Sequence, residues 1–182
     1  SKALGLISGG LDSSLAAMTL MRQGIEVTGI AFVTPFFTAD KAKIAAETIG
    51  HPLIIEDISD IHLDMVKKPK YGYGRHMNPC IDCHAMMFRL AGERMERDGF
   101  DFLFSGEVLG QRPMSQNANA LKSVAKLSGF PEKILRPLSA KLLPITPMEE
   151  AELVDRAQLL NLQGRSRRPQ QALAKGWGLN NY

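Results

Sequence analysis

The chain has 182 residues and a formal net charge of +3, from 22 lysines and arginines against 19 acidic residues. Hydrophobic residues make up 45% and charged residues 23%, which excludes disorder, collagen and coiled coil as descriptions of the whole chain. No apolar run reaches the roughly eighteen residues of a membrane span. Two cysteines cannot form a disulfide scaffold, so we expect one main domain in a reducing, cytoplasmic setting.

The first part of the chain alternates between short apolar runs and longer segments rich in Leu and Ala. The apolar runs that end in turn residues predict strands, and the longer segments that end at glycine predict helices. We expect strands over 3–7, 26–33 and 53–55 and helices over 13–23 and 38–49, with Asp12, Ser13 and Ser14 as N-cap candidates. Strands and helices in this alternation are typical of a parallel sheet with crossover helices.

The rest of the chain continues the pattern less regularly. Residues 67–79 are rich in Pro, Gly and Lys and predict a loop or lid. We expect helices over 80–98, 117–128 and 147–160, and strands over 100–104 and 134–138. Residues 165–182 are expected to be a basic tail with one more turn of helix, leading into a continuation, so that 1–164 form the domain. The predicted fold is α/β, with three layers (α/β/α) around a central parallel sheet of about five strands.

The most informative feature is Ser-Gly-Gly-Leu-Asp-Ser-Ser at 8–14, between the first strand and the first helix. In an open parallel sheet, ligands bind beyond the carboxyl ends of the strands. Glycines let a ligand approach the backbone, and serine hydroxyls with the free amides of a helix start suit a phosphate. The segment is neither a Walker A loop nor Gly-x-Gly-x-x-Gly. Its residues alone indicate either a phosphate site or a tight turn with an N-cap.

This segment resembles Ser-Gly-Gly-x-Asp-Ser-Ser/Thr, the pyrophosphate loop of the ATP pyrophosphatase superfamily. The resemblance implies an adenine nucleotide alpha hydrolase-like, Rossmann-like fold and an enzyme that uses ATP and Mg²⁺, adenylates a substrate oxygen and releases pyrophosphate. It assigns the leaving pyrophosphate to the small residues of the loop: Ser8, Gly9, Gly10, Ser13 and Ser14. It implies that Asp12 positions Mg²⁺ or the activated substrate, and that the adenine lies at the end of the second strand, at Ala31 and Phe32.

The second distinctive feature is Asn-Pro-Cys-Ile-Asp-Cys-His at 78–84. A helix start favours the thiolate form of a cysteine, which both sulfur chemistry and metal binding need. A zinc site needs about four ligands, and no second Cys-x-x-Cys is present to complete one. Cys80 and Cys83 are therefore open to several roles: buried core residues, sulfur carriers, zinc ligands, or two ligands of an iron–sulfur cluster shared with another chain.

Two segments narrow the resemblance within the superfamily. Asn-Pro-Cys-x-x-Cys resembles the tRNA 2-thiouridylases, and Gly-Glu-Val-Leu-Gly-Gln at 106–111 resembles the Gly-x-x-Leu-Gly-Gln segment of the tRNA 4-thiouridine synthases. Together they imply tRNA thiolation, with Cys80 as sulfur carrier, Cys83 as its companion or co-ligand, and Gly106 and Gln111 at the nucleotide. No cysteine follows Cys83, whereas the 2-thiouridylases use a second catalytic cysteine far downstream. We therefore expect a separate sulfur carrier or a longer protein.

Basic residues gather in two places that flank the expected nucleotide site, and phosphate backbones bind such clusters. The first cluster lies in the predicted loop and the second near the C-terminal end: Lys67, Lys68, Lys70 and Arg75, then Arg165, Arg167 and Arg168. We take both clusters as candidates for contact with tRNA, and a solvated surface is the alternative for each.

The residues and the resemblance together predict an ATP-dependent tRNA sulfurtransferase. Such an enzyme would adenylate a uridine carbonyl oxygen, release pyrophosphate and replace the oxygen with sulfur through a cysteine. A donor protein, such as a cysteine desulfurase or a sulfur carrier, would supply the sulfur. Two alternatives are open: the same ATP chemistry on a small molecule, by sulfur insertion or amide ligation, and a nucleotide- or metal-binding module that acts as a sensor.

Overall fold

The centre of the molecule is a parallel β-sheet. The computed structural model describes residues 1–61, 79–112 and 116–179, without the side chains of Pro79 and Cys80. Its strands are β1 (Lys2–Leu6), β2 (Glu26–Val33), β3 (Leu53–Asp57), β4 (Phe102–Phe104) and β5 (Ile134–Leu135). Within the described residues these five strands form one sheet in the order β3-β2-β1-β4-β5, and each neighbouring pair is parallel. The predicted fold class is confirmed.

Helices cover both faces of the sheet. They are α1 (Leu11–Met21), α2 (Asp40–Ile49), α3 (Pro79–Asp98), α4 (Ala118–Ser128), α5 (Pro147–Glu150) and α6 (Arg168–Gly176). One buried apolar cluster joins the sheet to α1, α2, α5 and α6, and a second joins it to α3 and α4. The architecture therefore has the three predicted layers.

Alternate residues of the central strands enter the two layers, as the two-residue period of a strand requires. On β1, Ala3 belongs to the first cluster and Leu4 to the second. On β4, Phe102 and Phe104 belong to the first cluster and Leu103 to the second. All five side chains are fully buried. Burial on both faces explains why these strands appear in the sequence as continuous apolar runs.

The strand order defines a crevice at the carboxyl end of β1. From β1 the chain moves through β2 to the edge strand β3, and then returns to β4 on the other side of β1. This reversal makes the gap between β1 and β4 a topological switch point, the place where open α/β sheets bind ligands. The segment at 8–14 follows β1 directly and therefore lies in that crevice.

Helix α1 begins at Leu11, whereas the sequence predicted residue 13. Gly10, in an extended conformation, is its N-cap, so the prediction that Asp12, Ser13 or Ser14 caps the helix was wrong. These three residues lie in the first turn, where they are part of the helix rather than its cap. Other ends differ slightly from prediction: α2 begins at residue 40, β4 begins at residue 102 and β5 ends at residue 135.

The helix predicted over 147–160 was wrong in length, because α5 ends at Glu150. A capping box starts it: Thr146 Oγ1 accepts a hydrogen bond from the Glu149 amide, and the Glu149 carboxylate accepts one from the Thr146 amide. Glu152 has a φ of 58°, a left-handed conformation that does not occur within a right-handed helix. A separate 3₁₀ turn follows at Arg156–Gln158.

The C-terminal segment is more ordered than the single helical turn that the sequence predicted. Helix α6 has nine residues, and Ala174 with Leu179 joins the buried cluster that contains α1. The guanidinium of Arg22, just after α1, stacks 4.6 Å from the ring centre of Trp177. The segment is thus packed against α1. Within the described residues, no helix combines the length and the apolar character that crossing a membrane requires.

Candidate functional site

The segment at 8–14, hereafter the pyrophosphate loop, presents a helix start without a cap. No side chain caps α1, because its N-cap is Gly10. The first backbone N–H groups of a helix have no partner within the helix, and they carry the positive end of its dipole. An uncapped start that opens at a topological switch point is suited to a phosphate group.

Two serine hydroxyls hold the loop in shape. Ser8 Oγ accepts a hydrogen bond of 3.2 Å from the Gly10 amide and lies 3.3 Å from Ser13 Oγ. Ser13 Oγ donates to the Gly10 carbonyl at 3.2 Å and accepts a longer bond of 3.4 Å from the Ser8 amide. The loop is therefore pre-organised before any ligand arrives, which lowers the entropic cost of binding.

Two positions around the loop require glycine. Gly9 has a φ of +87°, and a side chain there would overlap the backbone of Lys41 at the start of α2. A Cβ on Gly106, which follows β4, would lie 2.5 Å from the Ser13 amide nitrogen. Both glycines therefore let neighbouring segments approach the pyrophosphate loop closely, and this contact shapes the site.

A cavity of about 530 Å³ opens beside the loop. This volume lies within the range of pockets that bind small molecules and cofactors. The structure brings most of the residues that the sequence assigned to ATP to its wall: Ser8, Gly10, Asp12, Ser13, Ala31, Phe32, Gly106 and Gln111. Gly9 and Ser14 belong to the loop without lining the cavity, and Ser14 is buried.

Asp12 brings a carboxylate to the cavity wall, within the pyrophosphate loop. Its Oδ1 is buried without a hydrogen-bond partner among the described residues, and it lies 3.6 Å from Nη2 of Arg167. Burial raises the pKa of Asp12, while the charge of Arg167, the Gln170 side chain and the charge of Arg112 act in the opposite direction. A buried carboxylate oxygen without a partner, next to a phosphate loop, fits a magnesium ligand.

A second carboxylate in the cavity wall was missed by the sequence reasoning. Glu107 Oε1 accepts hydrogen bonds from Arg136 Nε at 2.9 Å and from Ser105 Oγ at 2.8 Å. His84 Nδ1 lies 3.7 Å from Glu107 Oε2. Burial alone would raise the pKa of Glu107, but the neighbouring Arg136 and His84 hold it down at about 2. Glu107 is therefore a fixed negative charge.

One sequence signal could have revealed this carboxylate. Ser105-Gly106-Glu107 leaves β4 in the same way that Ser8-Gly9-Gly10 leaves β1, and the ends of neighbouring parallel strands meet at one edge of the sheet. His84 and Arg136 carry no comparable signal, because each comes from a different segment and meets Glu107 only in the folded chain.

The cysteine pair lies at the start of α3. Cys80 is the second residue of that helix, and its side chain is outside the described part of the structure; Cys83 is half-buried. The next residue, His84, lines the cavity together with Met87 and Phe88 of the same helix. The first turns of α3 therefore approach the cavity. Among the described residues, no three His, Cys, Asp or Glu side chains come together as a metal site.

Of the two predicted basic clusters, the described part of the structure contains only the second. Lys67, Lys68, Lys70 and Arg75 lie outside the described residues. Arg165 and Arg168 are exposed at the start of α6, whereas Arg167 is a cavity-lining residue that faces Asp12. Of the second cluster, one member is thus directed to the cavity and two to solvent.

A comparison with protein families gives a direct match. The family described as thiamine biosynthesis protein (ThiI) matches residues 1–142, which include the pyrophosphate loop, the cysteine pair and β4 with the glycine that follows it. The chain belongs to the ThiI family. The match ends before α5 and α6, so the segment that packs against α1 lies outside it.

Curated relatives of this ThiI-family chain carry one description. A probable tRNA sulfurtransferase of Thermoanaerobacter sp. (strain X514) is 29% identical over 179 residues, which cover 92% of this chain and 43% of the relative. A probable tRNA sulfurtransferase of Staphylococcus aureus (strain MRSA252) is 31% identical over 149 residues, 75% of this chain and 34% of the relative. The chain thus spans less than half the length of these relatives.

Solved structures agree with the fold. A crystal structure of a 4-thiouridine synthetase–RNA complex with bound ATP matches with a TM-score of 0.60 and 26% identity, over 75% of this chain and 36% of that one. A predicted subunit of tRNA methyltransferase from Methanocaldococcus jannaschii matches with a TM-score of 0.58 at 16% identity, over 96% of this chain and 75% of that one. The second match concerns the fold alone.

Proposed function

We propose that this chain is the ATP-binding, adenylating part of a tRNA sulfurtransferase. The observation that carries the proposal is the uncapped start of α1, whose pre-organised pyrophosphate loop opens into a nucleotide-sized cavity. Membership of the ThiI family and the names of the curated relatives support the same reaction class. The structural match to a 4-thiouridine synthetase that holds ATP supports the ligand.

In this proposal ATP spans the cavity from the end of β2 to the start of α1. The adenine lies against Ala31 and Phe32, and Gly106 and Gln111 line the same cavity. The β- and γ-phosphates lie on the pyrophosphate loop: Ser8, Gly9, Gly10, Ser13 and Ser14. Asp12 Oδ1, which accepts no hydrogen bond from the described residues, would hold Mg²⁺, and the ion would neutralise phosphate charge when it is bound.

The proposed chemistry has two steps. A uridine carbonyl oxygen attacks the α-phosphorus of ATP, the bond to the bridging oxygen breaks, and pyrophosphate leaves from the loop. A sulfur nucleophile then attacks the ring carbon that carries the adenylated oxygen, and AMP leaves with that oxygen. Adenylation is needed because a carbonyl oxygen is otherwise a poor leaving group, whereas thiolate sulfur is an effective nucleophile near neutral pH.

Cys80 is the proposed carrier of that sulfur, as a persulfide, and Cys83 its companion. Once the terminal sulfur has bonded to the ring carbon and AMP has left, the Cys83 thiolate attacks Cys80 Sγ, and the sulfur–sulfur bond breaks to release the thiouridine. The Cys80–Cys83 disulfide that results is then reduced by an external dithiol.

Support for this role comes from the place of both cysteines at the start of α3, a helix that lines the cavity from His84 onward. A donor protein such as a cysteine desulfurase or a sulfur carrier would deliver the sulfur. The same pair would supply two ligands if the working site instead holds zinc or an iron–sulfur cluster, and the remaining ligands would then come from elsewhere.

Contacts to tRNA are proposed at the exposed basic residues. Arg165 and Arg168 are exposed on either side of the cavity-lining Arg167, and the other candidates precede α3 in the sequence: Lys67, Lys68, Lys70 and Arg75. Lysine and arginine neutralise the phosphate backbone, so this part of tRNA binding should weaken with rising salt.

Mass spectrometry of tRNA nucleosides tests the proposal. A deletion strain should lack one thiolated uridine, and the wild-type gene should restore it. Asp12→Asn and Cys80→Ser should fail to restore it, whereas Asp40→Asn, an exposed carboxylate on α2, should succeed. An unchanged nucleoside profile in the deletion strain would contradict the proposal. Restoration by Cys80→Ser would instead show that sulfur reaches the uridine without Cys80 as its carrier.

A further inference from the structure

The segment that follows the family match, from residue 143 onward, is hydrogen-bonded to the loop that lines the cavity. Leu109 forms a parallel bridge with Gln163, and the Gly164 amide donates to the Leu109 carbonyl at 2.8 Å. Gln111, which lines the cavity, donates from its side chain to the Arg165 carbonyl at 3.5 Å. The chain therefore reaches α6 along the loop that follows β4.

Helix α6 is anchored on the inside of the molecule as well. The buried side chain of Gln170 donates from Nε2 to Gln111 Oε1 at 3.1 Å. Farther along, Ala174 is fully buried in the cluster that contains α1. Two turns of α6 are thus held in place, and the residue at its N-cap, Arg167, is held with them.

Arg167 is directed from this anchored helix towards the pyrophosphate loop. It lines the cavity, and its Nη2 lies 3.6 Å from Asp12 Oδ1. Its side chain is 45% exposed, so it is free to change rotamer without disturbing the core. Asp12 lies in the first turn of α1, within the pyrophosphate loop, which places Arg167 beside the proposed phosphate site.

We propose that Arg167 binds the β- and γ-phosphates of ATP and stays with them as pyrophosphate leaves. The inference rests on the proposed function and adds a residue from outside the family match to its site. Without a nucleotide, Arg167 pairs with Asp12. With Mg²⁺–ATP bound, Asp12 faces the metal ion, and the planar guanidinium of Arg167 turns to the phosphate. It then donates two parallel hydrogen bonds to the phosphate oxygens. Arg167 thereby favours binding of a nucleoside triphosphate or pyrophosphate over binding of AMP.

Calorimetry with the purified chain tests this assignment, using Mg²⁺–ATP, Mg²⁺–pyrophosphate and AMP as ligands. Arg167→Met should weaken ATP and pyrophosphate binding at least about tenfold, because a charge-assisted phosphate contact is lost, and change AMP binding less than about twofold. Arg167→Lys should recover part of the loss. Lys175→Met, an exposed charge on the same helix, is the matched control and should bind like wild type.

The outcomes distinguish a failure of the Arg167 assignment from a failure of the proposed function. Trp177, the chain's single tryptophan, reports by its fluorescence whether α6 stays docked in each variant. The inference is overturned if Arg167→Met binds ATP and pyrophosphate with wild-type affinity. It is also overturned if the affinity for AMP falls as much as that for ATP, because Arg167 then does not bind the phosphates specifically. If wild type binds no adenine nucleotide, the proposed function fails first.

Discussion

Replacing Arg136 by Met should expose the cost of an uncompensated buried charge in the cavity wall. Arg136 Nε lies 2.9 Å from Glu107 Oε1, and the side chains are only 10% and 7% exposed. The pKa of Glu107 is lowered from 4.5 to about 2, although burial itself acts to raise it. The arginine is the largest cause of that lowering, so its removal should reverse the sign of Glu107's contribution to stability.

The size of the expected loss of stability follows from the shift in the pKa of Glu107. A fall from 4.5 to about 2 corresponds to roughly 3 kcal/mol of stability at neutral pH. Because the folded-state pKa is the lower one, this contribution is complete above about pH 5 and disappears as the pH falls towards 2. Breaking a buried ion pair by removing one partner costs roughly 3–5 kcal/mol. We therefore expect Arg136→Met to lose about that much at pH 7.

The loss of stability in Arg136→Met should also depend on pH. In Arg136→Met the burial of Glu107 remains while its strongest compensating charge is gone, so the pKa of Glu107 rises above its ordinary value. The destabilisation is then present at pH 7 and relieved as the carboxylate takes up a proton. The difference in unfolding free energy between wild type and variant should therefore shrink from pH 7 to pH 5.

Urea unfolding followed by circular dichroism measures these differences. The double variant Glu107→Gln with Arg136→Met should be more stable than Arg136→Met alone at pH 7, because no charge is left buried. Arg97→Met is the control: this 65%-exposed arginine lies 3.9 Å from Glu56, and such a surface pair is worth about 0.5 kcal/mol. A loss below about 1 kcal/mol for Arg136→Met, or a loss independent of pH, would refute the reasoning.

Three further substitutions test other parts of the structure. Gly106→Ala places a Cβ 2.5 Å from the Ser13 amide, so the pyrophosphate loop must shift and calorimetric ATP affinity should fall at least about tenfold; unchanged affinity would contradict this. Gly92→Ala puts a Cβ 2.3 Å from ring carbons of Phe130, just after α4, and urea unfolding should show a loss of about 1–3 kcal/mol rather than none. Thr146→Val removes the hydroxyl of the α5 capping box, for an expected loss of about 1 kcal/mol, and equal stability would show that the box is dispensable.

The sheet and its phosphate loop could be predicted because their signals are local. Buried parallel strands appear as short apolar runs, and the run that forms β1 ends in the serine and glycines at 8–10. The alternation of strands and helices then predicts a parallel sheet, and the loop lies at the carboxyl end of a strand, where such sheets bind ligands. Phe32 and Gly106, far apart in the chain, reach one cavity because they lie at the carboxyl ends of β2 and β4, the two neighbours of β1.

The remaining features depend on contacts between distant segments. His84, Glu107 and Arg136 come from α3, the loop after β4 and the residue after β5, and no local pattern relates them. The early end of α5 is equally hidden, since the sequence around Glu152 continues a helical composition while its backbone turns left-handed. Arg167 was grouped by charge with its neighbours, and only the packing of α6 shows that it faces Asp12.

The proposed function requires that ATP is cleaved between its α- and β-phosphates. Purified protein, incubated with ATP labelled on the α-phosphate, Mg²⁺, unmodified tRNA and sulfide, should yield AMP and an equal amount of pyrophosphate only when tRNA is present. Asp12→Asn should abolish both products. Formation of ADP and phosphate, or equal pyrophosphate release by wild type and Asp12→Asn, would contradict the account.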